Sequence, residues 1–300
     1  MVSIRSFRAL RPRAELAGQI AAVPYDVVST AEARAMAAGN PLSFLHVSRA
    51  DIDLPPDTGA YADIVYQTAA ANFQRLRASM IVEEPPAMYF YRLRMGAHEQ
   101  TGLAACFSVD EYNRDIIRKH EKTRKEKEDD RTRHIVDLRA QTGPVFLTYA
   151  HDATVDAMAA RVCAGAPLYD LTAPDGVTHA VWRVDAAATS RLEDAFAALP
   201  CVYIADGHHR AASAARAHDH FGRGDAAAEH GWFLAVAFPD DQTQILPYNR
   251  LVRDLGGQAP GAVRAAIGAA FPVREGGPAT PTAKGECAMY LDGRWHTITL

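Results

Sequence analysis

One string in this chain has the residue types and order that suit phosphate chemistry. It reads Val202-Tyr203-Ile204-Ala205-Asp206-Gly207-His208-His209-Arg210 and continues into Ala211-Ala212-Ser213-Ala214-Ala215-Arg216. An apolar, β-prone run stops at Asp-Gly, and an alanine-rich segment of high helix propensity follows the histidines and arginine. The order predicts strand, tight turn, helix. His208, His209 and Arg210 then fall at a helix N-terminus, where unpaired backbone N–H groups and the positive end of the dipole favour an anion. Cationic side chains at that end cost helix stability, and a bound phosphate offsets the cost. Asp-Gly followed by histidines is also an ordinary surface turn, so the string alone does not specify a ligand.

A second stretch, Arg118 to His134, reads RKHEKTRKEKEDDRTRH. Most of Lys125 to Asp130 fits a solvated helix face with Lys/Glu pairs four residues apart. The front of the run differs in type. It sets Glu121 among Lys119, His120, Lys122, Thr123 and Arg124. There a carboxylate can serve as a base or as a metal-associated group, while its neighbours hold phosphate oxygens.

These residues need a scaffold, and the pattern predicts a mixed α/β one. Ser29-Thr30-Ala31-Glu32 is a capping box that opens a helix ending near Gly39. Tyr61, Val65, Ala69, Phe73, Leu76 and Met80 recur at helical spacing over about 59–79. Residues 88–94 and 101–109 read as strands of an antiparallel hairpin turning at Gly96. Gly143-Pro144 opens a buried strand at 145–149. Helices are expected at 153–163, 190–199 and 260–270, and strands at 180–184 and 232–238. Ile245 to Tyr248 reads as a further strand, placed at an edge by Pro247. A hairpin closes the sequence at 289–299.

Composition narrows the function classes. The formal charge of −4 argues against a protein held on nucleic acid by its overall field. No apolar run reaches the length of a membrane span, and Met1-Val2-Ser3-Ile4-Arg5 lacks a signal-peptide core, so the expected location is cytoplasmic. The four cysteines, Cys106, Cys163, Cys201 and Cys287, are dispersed, which fits neither a zinc site nor a disulfide framework.

Tyr25-Asp26, the His120-Glu121-Lys122-Thr123 segment and Asp206-Gly207-His208-His209-Arg210 together resemble the family catalogued as domain of unknown function 1015, over nearly the whole chain. Within it, residues 103–256 resemble the ParB/sulfiredoxin-like superfamily, whose members bind or hydrolyse nucleotides. The nearest functional analogues are free-serine kinases, which carry an Asp-Gly-His-His-Arg motif and a His-Glu segment upstream of a Pro-led strand. The resemblance implies a ParB/sulfiredoxin-like core at 103–256, an N-terminal α/β extension at 1–102, and a C-terminal helix and hairpin at 257–300 that the family usually continues beyond. It implies phosphoryl transfer between ATP or ADP and a small hydroxylated metabolite, L-serine first. Glu121 is then the base, and Asp206 the second essential carboxylate and the Mg²⁺ contact. Gly207, His208, His209, Arg210, Ser213, Thr123 and Arg124 are then the nucleotide and phosphate contacts. A homodimer is compatible with this reading.

Three rival readings make different demands. A ParB-like nucleotide switch or DNA-associated module without kinase activity needs a helix-turn-helix or a basic face, and neither is read here. Sulfiredoxin-type repair needs a cysteine where His208 and His209 stand. Chelation by His208, His209, His218 and His220 is poor because adjacent histidines point apart on a helix.

Overall fold

The computed structural model describes residues 1–222 and 228–300. The chain divides into two compact units, Met1–Thr243 and Gln244–Leu300. Strands of the first unit are Ile4–Arg5 (β1), Leu10–Pro12 (β2), Ile81–Glu83 (β3), Tyr89–Met95 (β4), His98–Ser108 (β5), Ile117–Arg118 (β6), Val145–Tyr149 (β7), Tyr169–Thr172 (β8), Thr178–Arg183 (β9), Val202–Asp206 (β10) and Trp232–Pro239 (β11). Its helices are Ala17–Ile20 (α1), Thr30–Ala37 (α2), Leu45–Ser48 (α3), Asp63–Ser79 (α4), Val109–Asn113 (α5), Lys125–Leu138 (α6), Ala153–Cys163 (α7), Ala186–Ala198 (α8) and His208–Phe221 (α9). The fold is mixed α/β.

Most of the strands form one sheet in the order β6-β10-β7-β11-β5-β4-β9-β8, with β1 pairing β5. β10 runs parallel to β6 and antiparallel to β7. That mixture sets the site. The end of β10 lies beside the start of β7, because Asp206 pairs with Phe146. The end of β6 lies alongside too, because Tyr203 pairs with Arg118. Three chain segments distant in sequence therefore meet on one rim: Lys119–Arg124, Gly143–Pro144 and Asp206–Arg210.

Local chemistry explains the elements. Val202 and Ile204 are buried while Tyr203 is exposed, the alternation of a strand with one covered face. Gly207 takes a left-handed backbone, φ +91° and ψ 30°, which releases the chain into α9. The alanines of α9 bury Ala211, Ala214 and Ala215 in the main core with Leu147, Phe107, Phe196 and Phe233. Small side chains let this helix approach the sheet and α6 closely. The capping box at α2 forms as expected, with Ser29 Oγ accepting from the Glu32 N–H at 3.3 Å and Glu32 accepting from the Ser29 N–H at 2.8 Å.

Some expectations are corrected. The helix read at 190–199 begins earlier, at Ala186, because Asp185 Oδ1 accepts the Ala188 N–H at 2.7 Å and fixes the cap. Strand β5 runs unbroken from His98 to Ser108, so the hairpin crosses the boundary expected between residues 102 and 103. The charged run is not simply solvated. Asp130 is buried, accepting from Tyr66 at 2.8 Å and pairing with Arg131 at 2.8 Å. Glu128 and Asp129 pair with Arg216 on α9, so the charged helix is latched to the alanine-rich one.

In the unit Gln244–Leu300, the helix Pro260–Ala270 (α10) precedes a three-stranded antiparallel sheet of Val273–Glu275 (β12), Glu286–Leu291 (β13) and Arg294–Thr299 (β14), in the order β12-β14-β13. The expected hairpin is β13–β14. The strand expected at Ile245–Tyr248 does not form; Ile245, Leu246 and Tyr248 are exposed and find no pairing strand among the described residues. Strand propensity without a neighbouring ladder is insufficient.

Candidate functional site

The site grows from the left-handed Gly207. A Cβ added there would lie 3.0 Å from Arg210 Cζ and 3.1 Å from its Nε. The absent side chain thus makes room for a guanidinium folded back over the turn. Arg210 Nη1 donates to the Pro144 carbonyl, and Nη2 pairs with Asp206 Oδ2 at 2.5 Å. Asp26 Oδ2 lies 3.9 Å from the same Nη2. Arg210 keeps 16 % of its side-chain surface exposed, against 70 % for Asp206. It is a fixed cation between two carboxylates, with guanidinium N–H groups to spare.

Glu121 comes to the same place from the other segment. Its Oε2 stands 3.5 Å from His208 Nδ1, and the carboxylate stays largely exposed while His208 is 3 % exposed. The His120 N–H donates to His208 Nε2 at 3.4 Å, and the His120 ring meets His208 edge-on at 4.4 Å. A backbone donor at Nε2 puts the ring proton on Nδ1, where it faces Glu121. Burial, with His120 beside it, holds His208 below the ordinary imidazole range, which favours that neutral tautomer.

These contacts redistribute the roles expected of the paired histidines. His208 points inward, with Nε2 accepting the His120 N–H and Nδ1 facing the Glu121 carboxylate at 3.5 Å. His209 Nε2 accepts the Arg124 N–H at 3.1 Å, leaving Nδ1 as its remaining polar atom. Successive helix residues turn by about 100°, so the two rings cannot share one ligand face. Ser213 also lies away from the turn. It is fully buried, and its Oγ donates to the Glu128 carbonyl at 3.2 Å. Thr123 Oγ1 donates to Glu128 Oε1 and so braces the start of α6. Arg124 is the N-cap residue of α6, and its guanidinium makes no ion pair among the described residues. The N-termini of α6 and α9 therefore converge through the Arg124–His209 bond.

Two cavities adjoin the turn. The smaller, of 360 Å³, is lined by Asp26, Tyr61, Glu121, Arg124, Lys127 and His209 among others. The larger, of 660 Å³, has Tyr25, Gly143, Pro144 and Arg210 in its wall. Tyr25, Ser48, Arg131 and His134 line both. Sequence reasoning missed the residues that hold this partition. Arg49 donates to the Tyr25 carbonyl at 3.2 Å, to the Val28 carbonyl at 2.5 Å and to Thr30 Oγ1 at 2.7 Å. Arg131 stacks over the Tyr25 ring at 4.1 Å. Together they aim the 25–26 loop at Arg210. Their only sequence signal is the Tyr25-Asp26 pair itself.

The profile of the family described as Protein of unknown function (DUF1015) matches residues 4–300. The chain belongs to this family. No curated protein and no solved structure matches it. Among the described residues of this DUF1015 chain, no helix is long and apolar enough to cross a membrane. Among the same residues, no cluster of three or more His, Cys, Asp or Glu side chains is placed to hold a metal ion. The available carboxylates at the turn are Asp206, Asp26 and Glu121.

Proposed function

We propose that the chain is a phosphotransferase acting between a nucleotide, ATP or ADP, and a small hydroxylated metabolite, with L-serine the best single acceptor, built on a ParB/sulfiredoxin-like core. One observation carries the reading: Glu121 lies 3.5 Å from His208, at the point where two helix N-termini converge. Base and anion site therefore adjoin. The lining of the smaller cavity sets Arg49, Arg124, Lys127 and Arg131 against Asp26, Asp51, Glu121 and Asp130, so the attraction for an anion is local to the side of Arg124, Lys127 and His209, where the helix N-termini add to it.

In the proposed step the acceptor hydroxyl oxygen attacks the terminal phosphorus of the nucleotide. The bond from that phosphorus to the bridging oxygen breaks, the shortened nucleotide leaves, and the hydroxyl proton passes to the Glu121 carboxylate. His208 faces that carboxylate from the buried side. Arg210, pinned by Asp206 and Pro144, offers fixed positive charge near the transferring group. Such a transfer needs positioning and charge neutralisation more than covalent chemistry. Mg²⁺ fits as an ion carried in by phosphates, since it needs only one or two protein carboxylates. Asp206 would hold it, through the oxygen not paired with Arg210, and the ion would neutralise phosphate charge. The residues allow either direction.

Purified protein with Mg²⁺, L-serine and ATP or ADP should yield phosphoserine, with the reverse reaction run alongside. Glu121→Gln and Asp206→Asn should each abolish turnover and leave the fold intact by circular dichroism. Full activity in both variants removes the site assignment. Nucleotide binding with no transfer in either direction replaces the kinase reading with that of a nucleotide-binding switch.

A further inference from the structure

The larger cavity has chemistry that phosphoryl transfer does not call on. Its floor is made by three adjacent strands. Register places Leu93 opposite His179 and Tyr91 opposite Val181 on β4 and β9, and Leu171 opposite His179 on β8 and β9. All five side chains line the cavity, and side chains two apart on a strand share a face. The floor is therefore one continuous sheet face, on which the Tyr91 and His179 rings lie 15° from parallel with centroids 6.0 Å apart. The segment 17–24 adds mainly small residues to the lining, Ala17, Gly18, Ala21 and Ala22 among them. One sheet face and a segment of small residues thus bound the cavity.

Most polar atoms around this cavity are already engaged. Gln141 bonds the Trp232 carbonyl and the Leu234 N–H, and Tyr169 donates to the Pro12 carbonyl. Ser48 Oγ is unpartnered, but it is sealed from the open cavity as well as from solvent, so no ligand reaches it. Tyr91 and His179 share a bond of 2.6 Å between the hydroxyl and Nδ1. Burial pushes Tyr91 up to about 12 and pulls His179 down, so the hydroxyl is the donor and His179 keeps its proton on Nε2. The volume of 660 Å³ falls in the range of small-molecule sites, roughly 300–1,000 Å³, which are mostly apolar with a few polar groups that fix orientation.

We propose that this cavity binds a flat, nitrogen- or carbonyl-bearing aromatic ring, packed against the Tyr91–His179 ring pair, hydrogen-bonded by His179, and carrying a polar or anionic tail toward Arg210. A nucleobase and a free aromatic metabolite share that chemistry. The site stands on its own lining and does not depend on the phosphotransfer step.

The test is calorimetric titration of the full chain with adenosine, guanosine, indole-3-acetate and inorganic tripolyphosphate. Leu171→Trp fills the cavity from an edge strand, and His179→Phe keeps a ring but removes the donor. Ser48→Ala is the mildest change and guards against a folding defect in the others. At least one ring-bearing probe should bind the wild-type chain. Leu171→Trp should weaken it by about tenfold or more and His179→Phe by a smaller factor, whereas Ser48→Ala, whose lost oxygen is sealed from the cavity, should leave it unchanged. Tripolyphosphate binding should not change. A nucleoside response identifies a nucleobase site; a response to indole-3-acetate alone identifies an aromatic metabolite. The proposal is overturned if no ring probe binds, or if ring binding is equal in wild type, Leu171→Trp and His179→Phe. Phosphoserine formation under that second outcome would leave the phosphotransfer reading standing. Ring binding without any transfer would do the reverse.

Discussion

Gly207→Ala probes the turn with an effect that can be worked from coordinates. The residue sits at φ +91°, a conformation that costs an L side chain about 1–2 kcal/mol. The new Cβ would also lie 3.0–3.1 Å from the Arg210 guanidinium, which must move. Moving it strains or breaks the bond to Pro144 and the pair with Asp206. The bond to Pro144 contributes on the order of 1 kcal/mol, and the pair, with Asp206 mostly exposed, less than about 1 kcal/mol. The expected total is about 2–4 kcal/mol. Gly39→Ala supplies the control, since Gly39 has φ +73° and a Cβ added there would meet nothing within 4 Å; it should show the backbone cost alone. For a unit the size of Met1–Thr243 each kcal/mol moves the melting temperature by roughly 2–4 °C. Urea unfolding of the two variants should therefore differ by about 1–2 kcal/mol. In an Arg210→Ala background the Gly207→Ala cost should shrink to the Gly39→Ala value, because the crowded partner is gone. Equal costs at the two glycines in the wild-type background would refute the claim that Gly207 exists to admit Arg210.

Other outcomes follow from single contacts. Burial holds His134 at about 4 against about 6.5 in the unfolded chain; the unfolded state alone takes a proton between those values, so stability should fall by up to roughly 3 kcal/mol as pH drops from 6.5 to 4. His134→Gln should flatten that slope in pH-dependent denaturation. Tyr66→Phe removes the donor to buried Asp130 and should cost about 1–3 kcal/mol in urea unfolding. Gly102→Ala would bring a Cβ to 2.7 Å from Phe238 and 2.8 Å from Val236, overpacking the central sheet by about 1–3 kcal/mol in the same assay.

The elements are legible where local chemistry decides them. The turn at Gly207, the hairpin around Gly96, the capping box at Ser29 and the helix at 153–163 all announce themselves through residue type and period. What sequence cannot supply is pairing. That β10 lies between a parallel β6 and an antiparallel β7 is a long-range choice, and it alone brings Glu121 and Pro144 to Asp206. Side-chain direction is hidden for the same reason. His208, His209 and Ser213 share a helix, yet His208 and Ser213 are buried against the neighbouring segment and α6. The charged run defeats a local reading at Asp130 because its partners, Tyr66 and Arg131, include one from a helix far upstream. Ile245–Tyr248 has strand propensity without a ladder to join.

The antiparallel pairing of β7 with β10 carries one more consequence. Residues 150–201 run from the end of β7 to the start of β10, supply β8 and β9 at the far edge of the same sheet on the way, and join both strands on the rim away from Gly207. Changes of length in this excursion need not disturb the rim that fixes Arg210. Yet the same excursion contributes Leu171, His179 and Val181 to the larger cavity. Selection can thus remodel the lining of the larger cavity while the turn at Gly207 stays as it is, which separates the variable part of this architecture from its fixed part.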